Sequence, residues 1–296
     1  MKINPVLSKE IKIKMRSWKI VWLLIAYLAV LALVAVFFIT TTQREIYRQL
    51  DPSMSITIYV SIAVIQFFLI VFIAPSLTSG SISGERERQT LDLLLSTKMA
   101  PRSIILGKLF SSINQIILLI VASFPIFSIV FLFGGISTLE VIKLFLFYIV
   151  VAITMGSIGI FFSTFLKKTT ASNVLTYGFV LFLIFGTLFI NVFVTSIIMR
   201  GKNYTGIFPL SYVNPLTGFA SLLSDQFGGN GMGGIGIPGF FMPLPRTSVP
   251  KVGTGKTLSL WQINIMVNIG LSIILLYLSS LKINPIKKRV FKKKKK

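Results

Sequence analysis

At 296 residues the chain is 54% hydrophobic and only 13% charged, with a mean hydropathy of +0.84; soluble domains carry about 25% charged residues, so this is the composition of a membrane protein. It contains no Cys and no His, which excludes disulfides and thiol chemistry and removes the commonest general base, transition-metal ligand and pH switch. The formal charge of +22 would suggest nucleic acid in a soluble protein, but its placement along the chain favours a membrane surface.

Asn4-Pro5 reads as an N-cap and first helical position. Leu7, Ile11, Met15, Trp18 and Trp22 then recur at helical spacing, with Lys9, Glu10, Lys12, Arg16 and Lys19 on other faces. The pattern predicts an amphipathic interfacial helix leading into the membrane, with Trp18 and Trp22 at headgroup depth.

Crossing a hydrocarbon layer about 30 Å thick takes roughly 20 mostly apolar residues. Six stretches qualify: Trp18 to Thr40, Thr57 to Leu77, Ile104 to Phe133, Val141 to Leu166, Val174 to Met199 and Leu258 to Leu281. The first exceeds the roughly 7–15-residue apolar core of a signal peptide, and no small-residue cleavage site follows it. Pro125 predicts a kink in the third. The expected fold is an all-α membrane protein with a single transmembrane domain over residues 1–281 and a basic tail over 282–296.

Charge sets the orientation. With the N-terminus in the cytoplasm, the inside holds six basic residues from Lys2 to Lys19, five from Arg86 to Lys108, Lys167 and Lys168, and nine from Lys282 onward. That places 22 of the 30 basic residues inside, while the acidic residues split four and four. The positive-inside rule therefore predicts cytoplasmic termini in the plasma membrane. The run Lys292 to Lys296 lies against anionic lipid headgroups, and no nucleic-acid partner is expected.

Between the second and third spans comes Gly80-Ser81-Ile82-Ser83-Gly84-Glu85-Arg86-Glu87-Arg88-Gln89-Thr90-Leu91-Asp92-Leu93-Leu94-Leu95. At helical period Glu85, Arg88, Gln89, Asp92 and Ser96 form a polar stripe, and Leu91, Leu94 and Leu95 cluster on another side. Ser83 is the expected N-cap, and Glu85 and Glu87 fall where the helix dipole favours negative charge. Pro101 limits any continuation. The segment reads as a cytoplasmic handle for a partner outside the bilayer.

Residues 200–257 form the one long non-spanning region, expected outside. Asn214-Pro215 starts a short helix with an apolar face of Leu216, Phe219, Ala220, Leu222 and Leu223. The glycines and prolines from Gly228 to Pro245 suit an irregular loop. Val252-Gly253-Thr254-Gly255-Lys256-Thr257 imitates the end of a phosphate-binding loop, but Pro250 stands where the motif needs Gly and no strand precedes it. The chain is therefore not expected to hydrolyse nucleotide, nor to bind a cofactor of its own.

None of the spans carries Asp, Glu, Lys or Arg near its middle, which argues against ion-coupled transport. Their deep polar groups are amides and hydroxyls, suited to interhelical hydrogen bonds. Gln66, Asn173 and Asn191 are the candidates for lining a translocation path.

These residues resemble the membrane subunit of type-2 ABC exporters. Asn4-Pro5-Val6-Leu7-Ser8-Lys9-Glu10 is similar to the family's opening. Ser83 to Thr97, continuing through Pro101-Arg102 to Gly107-Lys108, resembles its cytoplasmic "E-R-E-x-G-T-L-E-x-L-L-x-T-P" segment, and Tyr212-Val213-Asn214-Pro215-Leu216 its entry to an external short helix. Gln89 stands where Gly is usual, Asp92 where Glu is common and Met99 near a frequent Pro. The resemblance implies two permease subunits, identical or paralogous, with two ATPase subunits that bind ATP and Mg. Gly84 to Ser96 becomes a coupling helix docked on the ATPase. Glu85, Arg86, Glu87 and Arg88 would supply charge pairs, Thr90 would lie within the contact, and Leu91, Leu94 and Leu95 would contact the partner or anchor the helix to the bundle. An apolar or amphipathic cargo would leave between the two permeases, along the second and fifth spans. The alternative is a membrane anchor or sensor in an ABC-type complex that moves no solute.

Overall fold

A computed structural model describes residues 16–43, 52–96, 100–133, 136–194, 209–227 and 259–283. Among them every regular element is a helix. Leu7, Lys9, Glu10, Ile11 and Met15 of the expected interfacial helix, the glycine-rich stretch and the lysine tail lie outside the described residues.

Six helical stretches are long and apolar enough to cross a membrane. Helix α1 (Trp18–Gln43) and α2 (Pro52–Thr78) come first; α3 (Ser83–Glu87) and α4 (Leu91–Ser96) form a short elbow. Then follow α5 (Pro101–Ala122), α6 (Phe124–Phe133) and α7 (Thr138–Phe165). Helix α8 (Thr169–Leu181) passes through a π turn, Phe182–Gly186, into α9 (Thr187–Phe193). A 3-10 turn (Pro209–Tyr212), α10 (Pro215–Gln226) and α11 (Leu260–Ile283) complete the fold.

The third span is two helices. Pro125 has no N–H to give, and its ring would crowd the carbonyl four residues earlier. Ser123 takes up the break: its N–H donates to Leu119 and Ile120, and its own carbonyl receives Ile126 N at 3.0 Å and restarts the helix. The fifth span begins at Thr169, five residues before the apolar run does, because Thr169 to Asn173, four of them polar, are helical.

Helix α7 is the axis of the bundle and packs on α2, α5, α8, α10 and α11. Two-thirds of its apolar window is buried (67%), against 22% for α1. Small residues allow this. A Cβ at Gly159 would collide with the Thr78 side chain, and one at Gly156 would lie 3.1 Å from Leu109. In lipid the apolar faces gain little by leaving the solvent, so close packing and interhelical hydrogen bonds carry the association.

Helix α10 is sunk into the main core, with Phe219 fully buried and stacked on Phe67 at 4.7 Å. The loop between the fifth and sixth spans therefore supplies part of the bundle's packing.

Candidate functional site

The elbow departs from the single amphipathic helix the sequence suggests. It breaks at Gln89, whose φ of 58° lies in the left-handed region, and Thr90 folds back so that its N–H donates to Glu85 O at 2.9 Å. Nor is Ser83 the N-cap; Ile82 holds that position, with no side-chain cap from within the helix. The cap comes from α7 instead, where Ser163 Oγ accepts from Ile82 N and Ser83 N, each at 2.9 Å. Ser83 is buried and its hydroxyl faces Ser163 at 3.2 Å.

Three consecutive charges reach three different helices. Lys108 of α5 donates to Glu85 Oε1 at 3.0 Å, and Thr90 Oγ1 donates to the other carboxylate oxygen. Arg86 donates to Leu166 O at 2.8 Å and Thr164 O at 3.2 Å, at the C-terminal end of α7. Glu87 accepts from Thr169 N at 2.8 Å and Thr169 Oγ1 at 2.5 Å, at the N-terminus of α8. The signs match the helix ends: a cation meets unpaired carbonyls, and an anion meets an unpaired N–H.

The leucines divide as well. Leu91 is buried with Ile82, Ile105, Leu109, Ile113, Ile160 and Ile283, and half-buried Leu95 packs against this cluster. Leu94 is half-buried. Leu93 points away, 70% exposed, with exposed Arg88, Gln89, Asp92 and Ser96 as its neighbours in sequence. Gly84 closes against α8: a Cβ there would stand 3.9 Å from Thr169 Oγ1.

Residues 5–283 match the family described as ABC-2 family transporter protein. The chain belongs to this family. It is thus an ABC transporter permease, a multi-pass membrane protein of a class that typically pairs with an ATPase subunit. No curated protein matches it.

At the opposite end of this permease an asparagine network holds α10. Asn214 caps α10 by accepting from Leu216 N at 2.8 Å, and donates to Ile184 O in the π turn and to Thr187 Oγ1. A π turn leaves backbone groups without their usual partners, and Asn214 supplies one for Ile184. Asn264 of α11 donates to the carbonyls of Tyr212 and Asn214. Gly218 gives Asn264 room, since a Cβ there would collide with the amide.

Of the candidate path residues, Gln66 is fully buried within the bundle and donates to Ser123 Oγ at 3.0 Å. Asn173 is half-buried and accepts from Ser79 at 2.6 Å, and Asn191 donates to Ser211 at 3.2 Å. What the second and fifth spans share outwardly is aromatic. Phe72 stacks on Tyr177 and Phe68 on Phe185, while Phe182 and Phe185 of the π turn and Phe189 and Phe193 of α9 expose their rings.

Proposed function

We propose that this permease is the membrane subunit of an ATP-driven exporter that moves an apolar or amphipathic substrate (a peptide, drug or lipid-like molecule) out of the cell. The elbow carries this reading. It presents an exposed leucine within a polar segment at one end of the bundle, while its base is bonded into three spans. The basic residues near that end favour a cytoplasmic face, where ATP is available. A separate ATPase subunit, holding ATP and Mg, docks over Leu93, with Arg88 and Asp92 at the rim.

Two permeases, identical or paralogous, then face each other across the aromatic wall of α2, α8 and α9. A wall of rings without fixed charge suits an apolar cargo. ATP binding draws the ATPase pair together, and the elbows carry that motion into two competing packings of the bundle.

The test is co-expression with a nucleotide-binding subunit. The pair is expected to co-purify and, in proteoliposomes, to hydrolyse ATP faster when an amphipathic cargo is added. A permease that purifies without any ATPase, or a complex in which no cargo moves, contradicts the reading.

A further inference from the structure

The charged run of the elbow is consumed inside the chain. Glu85 ends on α5, Arg86 on α7 and Glu87 on α8. Beneath them, Ile82 and Leu91 share one apolar cluster with Ile105, Leu109 and Ile113 of α5, Ile160 of α7 and Ile283 of α11. Gly80 brings the turn against α8 so closely that a Cβ would lie 3.0 Å from the Thr169 methyl. Packing of this density does not deform gradually, so a push on one part moves its neighbours.

We propose that Glu85, Arg86 and Glu87 are positioning residues that fasten the elbow to the ends of three spans, and that they are not the groups that grip the ATPase. Docking and transmission then occupy opposite sides of the same fourteen-residue elbow, Ser83–Ser96. Leu93 receives the partner; the three charges convert its displacement into movement of α5, α7 and α8. The Arg86 and Glu87 contacts do this at one junction: they hold the end of α7 and the start of α8 on either side of a three-residue connection, Leu166 to Lys168. The inference rests on the docking reading given under Proposed function.

The two roles separate in proteoliposomes holding the permease and its ATPase, read for bound ATPase and for cargo moved per ATP hydrolysed. Glu87→Ala, Arg86→Ala and Thr169→Val are expected to retain the ATPase at wild-type stoichiometry. Cargo moved per ATP should fall roughly tenfold, within the range of ordinary coupling between sites. Glu87→Ala combined with Thr169→Val should be no worse than Glu87→Ala alone, which already removes both bonds. Loss of the ATPase by Glu87→Ala, or unchanged transport per ATP, overturns the proposal. If Leu93→Asp retains the ATPase, the docking reading fails, while uncoupling by Glu87→Ala still supports the fastening.

A covalent replacement guards against variants that simply misfold. The chain has no Cys, and a Cβ at Gly84 would lie 3.9 Å from Thr169 Oγ1. Gly84→Cys with Thr169→Cys, added to Glu87→Ala, makes one sample that can be compared reduced and oxidised. Oxidation should restore transport per ATP. If oxidation leaves it low, or stops turnover, the junction does not move as one body and the proposal is overturned.

Discussion

Lys108, from the third span, places its ammonium 3.0 Å from the Glu85 carboxylate of the elbow, with the lysine side chain 6% exposed and the glutamate 29%. The charge near the start of this span is therefore paired. Removing one partner of a fully buried pair costs about 3–5 kcal/mol. Partial exposure of Glu85 reduces that, and Lys108→Met should lower stability by about 1–3 kcal/mol. Thermal unfolding in detergent checks it; the exchange Lys108→Glu with Glu85→Lys should recover much of the loss.

The crossing of α7 on α2 gives a steric prediction. Gly159→Ala drives a methyl into Thr78 and to 3.1 Å from Ser79 N. Overpacking of this kind costs about 1–3 kcal/mol. Adding Thr78→Ala should relieve part of the cost, because the hydroxyl clash goes while the contacts with the residue 78 Cβ and with Ser79 N stay. Unfolding temperatures of the single and double variants decide it.

Asn214 is a cap and a crosslink at once. Asn214→Ala loses the α10 cap and leaves Ile184 O short of a donor, at a cost of about 1–3 kcal/mol. Asn214→Asp keeps the acceptor for Leu216 N but sets a carboxylate oxygen against the Ile184 carbonyl in a fully buried site, and should cost at least as much as alanine. Protease resistance of α10 in the purified variants is the direct readout.

The aromatic wall predicts where a second copy lies. A single cysteine at Phe189, which is 71% exposed on α9, should oxidise to a covalent dimer in membranes. A single cysteine at Ile273, 63% exposed on α11, should not. Equal cross-linking at both positions would remove α9 from the interface.

Much of the architecture is written locally. Apolar runs such as Trp18 to Thr40 announce spans because hydrocarbon demands a helix of that length. Pro125 marks the break in the third span, and Asn214-Pro215 marks the start of α10. What local reading misses is set by partners far along the chain. The Ser83 hydroxyl has the spacing of a cap, yet Ser163, 80 residues on, does the capping. Glu87 has the pattern of a docking charge, yet Thr169, 82 residues on, takes both of its oxygens. Gln89 adopts a left-handed conformation that its residue type does not announce. Helical period groups Leu91, Leu94 and Leu95, and only the break at Gln89 turns Leu93 outward.

Transport with and without the docking leucine tests the central claim most directly. Permease reconstituted alone should move no amphipathic cargo against a gradient, with or without ATP. With its ATPase it should pump, and Leu93→Asp, which should shift folding stability by no more than about 0.5 kcal/mol, should abolish both ATPase binding and pumping. Uphill movement by the permease alone, or undiminished pumping by the Leu93→Asp complex, would contradict the account.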